Sequence, residues 1–146
     1  SHMGSSAWIE AVQLLSSASS MRQNDPSILN NLGLALLQSA LEMDSLGDPM
    51  ASSQYEAAIM ALRQGAKIEP DNNTLLLNLG HALLVSGRAE KALGVINVAR
   101  SRDPSNVEIE NALGACLIQL GREEEAIPIL TPFANDRIVS ANIALI

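Results

Sequence analysis

The stretch "NTLLLNLGHALLVSGRAEKALGVINVARSRDP", residues 73–104, decides how the chain must be folded. It holds five charged side chains before its closing Asp-Pro, and its leucines are denser than one helical face requires. Leu75 to Ser86 carries apolar residues at helical spacing, and Gly87 stands where a helix can end in the left-handed conformation. A second apolar-periodic stretch follows and closes at Asp103-Pro104. Two helices joined by a tight turn are therefore expected. The first is apolar on nearly every side, so its own partner cannot cover it alone.

The same signals recur at one interval. Pro70 and Pro104 are 34 residues apart, as are Leu79-Gly80 and Leu113-Gly114, Leu83 and Leu117, Gly87 and Gly121, and Ala92 and Ala126. Five matches at one spacing identify a helix-turn-helix array. Ordering one such unit costs roughly 1–2 kcal/mol of backbone entropy per residue, whereas each buried leucine returns about 1.5–3 kcal/mol. A lone unit falls short, and stacking on its neighbours supplies the missing burial.

The series Leu76, Leu79-Gly80, Leu83, Gly87, Ala92, Ile96, Ala99, Pro104 resembles a tetratricopeptide repeat. The resemblance implies an all-α solenoid of antiparallel helix pairs stacked in a right-handed superhelix. The next unit fits at Leu113-Gly114, Leu117, Gly121, Ala126 and Leu130, but Glu110 replaces a bulky residue and Ile138 stands where the closing proline belongs. Upstream, Pro26, Leu29, Leu32-Gly33, Ala35 and Leu36 form a first helix, and Tyr55, Ala58, Ile59, Leu62 and Pro70 its partner. Gly33 to Ala58 spans 25 residues where Gly80 to Ala92 spans 12, so 13 extra residues lie around "LEMDSLGDPMASS". The favoured expectation is that both helices are lengthened around a Gly-Asp-Pro break. A capping box at Ser53-Gln54-Tyr55-Glu56 offers the alternative of a late start after a loop.

The expected organisation follows. Residues 1–6 read as an expression scar, and residues 7–146 as a single array. Within it lie the second helix of a partial repeat (7–25), a repeat with the insertion (26–70), a second repeat (71–104), a third (105–136), and the first helix of a truncated repeat (137–146). Pro128 and Pro132, one turn apart in the third repeat's second helix, should bend that helix or end it early.

Composition limits the chemistry. The 146 residues are 47% hydrophobic with a formal charge of -7, which suits a packed core. The nine Lys and Arg are scattered and the aromatics are only Trp8, Tyr55 and Phe133, which argues against nucleic acid. No run approaches the ~18 apolar residues of a membrane span. His81 is the one histidine beyond His2, and Cys116 the one thiol, so neither a metal site nor a cofactor site is expected. Cys116 aligns with Ala82 and Ala35 and reads as a small core residue. Glu123-Glu124-Glu125 reads as a solvated first helical turn. No phosphate loop or nucleophile elbow appears, and an enzyme is not expected.

The resemblance places a partner-binding groove on the first helices. Carried over position by position, its lining is Asn30, Leu34, Leu37 and Gln38, then Leu77, His81, Leu84 and Val85, then Asn111, Ala115, Ile118 and Gln119. The lining is aliphatic with amides. It lacks the Lys and Arg with which relatives clamp a C-terminal carboxylate, so an apolar or amphipathic peptide segment is the expected partner. Occlusion by the chain's own helices, homo-oligomerisation, or service as the non-catalytic arm of a larger enzyme stay open. Low charge, "NNLGLALL" and "NDRIVSANIALI" are similar to bacterial repeat proteins of envelope assembly, including the tetratricopeptide lipoproteins of tight-adherence pili. That likeness implies an assembly role, with both a periplasmic or envelope location and a cytoplasmic one open.

Overall fold

The computed structural model describes residues 9–14 and 25–134. Beyond a helical stretch at 9–14, the described residues form six α-helices: α1 (Pro26–Ser45), α2 (Ala51–Ile68), α3 (Asn73–Val85), α4 (Ala89–Arg102), α5 (Val107–Gln119) and α6 (Glu123–Leu130). A short 3-10 turn, Thr131–Phe133, continues α6. No strand occurs among the described residues. The expected trailing helix at 137–146, and residues 7–8 and 15–24 of the expected leading one, lie outside the described residues.

Local chemistry places each helix end. The first helices start at side-chain caps: Asp25 accepts from the Ser27 and Ile28 amides, Asn72 from Leu75, and Asn106 from Glu108 and Ile109. α3 and α5 end at Gly87 and Gly121, whose φ angles of 86° and 73° are strained for any other residue. There the Arg88 amide donates to the Leu83 carbonyl and the Arg122 amide to the Leu117 carbonyl, both at 2.8 Å, closing a Schellman turn in each case.

Packing pairs α1 with α2, α3 with α4 and α5 with α6. The pairs then stack through α2 on α3 and α4 on α5, while α1 touches α3 and α3 touches α5. The fold is an α-solenoid, with one apolar core running through all three pairs. Within each pair the helices meet at a glycine. A Cβ on Gly80 would lie 2.7 Å from Ile96 Cγ1, and one on Gly114 only 2.5 Å from Leu130 Cδ2. Gly33 meets Leu62 in the same way. Cys116 is fully buried, and desolvation pushes its pKa up to about 11.

Two features set the first and third pairs apart from the second. The thirteen extra residues lengthen the first pair: α1 has 20 residues and α2 has 18, against 13 and 14 in α3 and α4. The turn at Leu46 to Met50 is held by Asp48, whose carboxylate accepts from the Met50 amide, and α2 is already helical at Ser53. The capping-box alternative is thereby excluded, because the Ser53 hydroxyl bonds back to the Met50 carbonyl instead. Tyr55 donates to Asp44 across the extension at 3.0 Å. In the third pair, α6 has Pro128 inside it and stops after eight residues. Pro132 sits in the 3-10 turn that follows, where the missing amide prevents α-helical continuation.

The two kinds of helical glycine should respond oppositely to one methyl group. Gly114→Ala forces its Cβ against the fully buried Leu130 and should destabilise by about 1–3 kcal/mol. Gly94, inside α4 with open space at its Cβ, should gain about 0.5–1 kcal/mol as Ala. Urea denaturation midpoints of the two variants check both signs.

Candidate interaction face

The first helices α1, α3 and α5 lie side by side, each sharing one edge with the core. Leu77, Leu84, Val85 and Ile118 pack partly on the core and keep partly open surface, and Leu34 and Ala115 are half-buried in the same rows. Gln38, His81 and Gln119 are exposed, while Asn30 and Asn111 are partly buried. One expected lining residue does not belong with them. Leu37 is only 3% exposed and sits in the core with Ala40, Ala51 and Tyr55. Its counterparts Leu84 and Ile118 lie in the last turn of their helices, whereas α1 continues eight residues past Leu37 to Ser45. The lengthened pair thus covers a side chain that an ordinary pair leaves at the rim.

The amides bridge neighbouring helices. Asn78 Nδ2 on α3 donates to Asn30 Oδ1 on α1 at 2.9 Å. Gln119 Nε2 on α5 reaches the Leu84 carbonyl of α3 at 3.4 Å. Asn78 was absent from the expected lining because it lies one residue past Leu77 on the helix, towards the neighbouring pair, and spacing within one repeat does not disclose a bond across 48 residues. His81 stands at the rim. Protein around its ring lowers the pKa below 6.5 by desolvation.

The opposite side of the array carries its own polar feature. Glu110, 4% exposed, accepts from Arg100 Nε at 2.7 Å, so a charged pair fills the position where a bulky side chain is usual. The pair joins α4 to α5. Beside it an open depression of about 720 Å³ is bordered by Pro104, Pro128, Pro132 and Phe133, where α6 has ended early. Arg88 pairs with Glu56, and Arg102 bonds the Pro70 carbonyl and lies 3.4 Å from Asp71, tying α4 to the preceding pair. Among the described residues no group of three His, Cys, Asp or Glu side chains could hold a metal ion, and no helix is long and apolar enough to cross a membrane.

His81 gives the face a pH signature. An unfolded histidine takes up its proton near pH 6.5, and folded His81 does so only lower. Between those points the unfolded chain holds more protons, so stability is full above about pH 6.5, falls as pH drops, and levels off once folded His81 is also charged. His81→Gln should flatten this part of the profile, read as the loss in Tm between about pH 7.5 and 5.5 in the two proteins.

Comparison with known proteins agrees with this geometry. Residues 50–105, spanning α2 to α4, match the tetratricopeptide repeat family model. The small glutamine-rich tetratricopeptide repeat-containing protein 2 of Mycosarcoma maydis is 28% identical over 110 residues, which is 75% of this chain. The aligned region spans 28% of that relative's length. Among solved structures, "MamA MSR-1 C2" superposes with a TM-score of 0.70 at 20% identity, covering 97% of this chain and 70% of that one. "MamA D159K mutant 2" gives 0.70 at 23% identity, covering 99% and 73%. These likenesses concern the fold. The chain is folded as a tetratricopeptide-repeat solenoid, an all-α stack of antiparallel helix pairs.

Proposed function

We propose that the chain is a protein-interaction scaffold that takes an apolar or amphipathic peptide segment along the face of α1, α3 and α5. One observation carries the reading: half-buried aliphatic side chains, Leu34, Leu77, Leu84, Val85, Ala115 and Ile118, recur on three successive first helices. A surface that keeps apolar side chains half open across several repeats gains by being covered. Asn30, Gln38, His81, Asn111 and Gln119 edge this lining, and Leu37 supports it from beneath. The likeness to bacterial envelope-assembly repeat proteins favours a role in building a pilus or secretion machine. A different observation favours self-association: Met60, Val98 and Ile127 are exposed on the second helices α2, α4 and α6. For that reading, light scattering should show mass rising with concentration, and a constant monomer mass excludes it.

Panning a displayed peptide library against the chain tests the main reading. Enriched peptides should lose about tenfold or more in affinity on Leu84→Asn and on Ala115→Trp, which fills the face, with helicity by circular dichroism unchanged. Val98→Asn, on α4, should leave binding intact. Peptides that bind all variants alike would place recognition elsewhere.

A further inference from the structure

We infer a second binding site, for the tryptophan side chain of a partner peptide, in the open depression of about 720 Å³ between the second and third pairs. It shares no residue with the lining of α1, α3 and α5 and does not depend on that face.

Three departures from the repeat meet there, and each costs stability. Where the first junction has Ala66 and Leu76, this one has Arg100 and the buried Glu110. A buried ion pair is commonly no better than well-packed apolar side chains. Where α4 has Gly94 and Val98, α6 has Pro128 and Pro132, and the helix stops after eight residues instead of fourteen. Ser105, at the rim beside Pro104, holds a φ of 69°, the one positive φ at a non-glycine residue among those described. Asp71, at the same place in the preceding turn, does without it. The first junction therefore shows that the fold needs none of the three. Costs that the fold does not require, gathered at one cavity, mark a site kept for binding.

The chemistry of the lining selects the ligand. Arg100 Nε donates to Glu110 Oε1 at 2.7 Å, a bond that lies in the plane of the guanidinium. It fixes that plane and leaves the faces for stacking, and the Arg100 side chain is 43% exposed. Because Glu110 neutralises the charge, the pair offers a flat surface for a ring and little net attraction for an anion. Pro104, Pro128 and Pro132 supply apolar walls, and half-buried Phe133 can meet a second ring edge-to-face. A ring that carries an N–H suits the polar rim. The Ser101 hydroxyl donates to the Val98 carbonyl at 2.7 Å, so its oxygen is left as an acceptor, and an indole is a donor only. A cavity of about 150 Å³ suffices for one benzene ring, so the depression also has room for the peptide backbone on either side of the tryptophan.

NMR titration of the isotope-labelled full chain tests this with three probes: Ac-Gly-Trp-Gly-NH2, Ac-Gly-Leu-Gly-NH2 and methylindole. The tryptophan tripeptide should shift the amide signals of Ser101, Ser105 and Phe133 and bind at least about fivefold tighter than either other probe. Arg100→Lys keeps a cation beside Glu110 but has no planar face, and should weaken the tripeptide by about fivefold or more. Arg100→Ala with Glu110→Leu copies the first junction, strands no charge and should weaken it equally; this variant decides the point if the lysine variant unfolds. A leucine tripeptide that binds as well overturns the aromatic specificity, and methylindole that binds as well overturns the peptide as ligand. Undiminished binding by the variants overturns the stacking role of Arg100. Shifts confined to His81 and Ala115, or no shift up to about 10 mM, overturn the site.

Discussion

The array depends on how closely the two helices of each pair approach. At Gly33, Gly80 and Gly114 the first helix has no side chain, and Leu62, Ile96 and Leu130 of the second helix occupy the space. That contact fixes the separation within a pair, and the separation determines which residues of the first helix are covered. It also aligns the pairs, because the same residue types meet at each level and the core passes without a break from one to the next. With few aromatics, shape matching between small and branched aliphatic residues supplies the specificity.

Much of this could be read from the chain itself. The 34-residue interval, the glycine helix ends and the aliphatic first helices are local signals, and each repeat presents them again. Even the thirteen-residue insertion was legible as helix extension, since Leu41, Met43 and Leu46 keep the helical period up to Gly47. The site was harder to read. Leu37 occupies a family groove position, yet the longer pair buries it, an effect that appears only when α1 and α2 are seen to run on together. Asn30 bonds Asn78 from another repeat, and Glu110 finds Arg100 across a turn. Such pairings depend on the angle between repeats, which no periodicity within one repeat encodes.

The polar groups do a distinct job here. Exposed ion pairs such as Arg122 with Glu125 contribute little to stability. The buried Glu110 is different, since removing Arg100 alone would leave a carboxylate without its partner in an apolar setting. Bridges of this kind bind one repeat to the next in a single register. They leave the aliphatic rows of α1, α3 and α5 as the broad half-open surface of the first helices.

The prolines at 128 and 132 have a wider effect. Helix pairs shorten along the array, from 20 and 18 residues in the first to 13 and 8 in the last. In a nearly one-dimensional stack, each pair is held only by its neighbours, so the least contact lies at the α6 end. Cohesion is therefore graded along the described pairs, greatest inside the long first pair and least inside the third. The three described pairs thus have a polarity of cohesion: a firm first pair and a looser third.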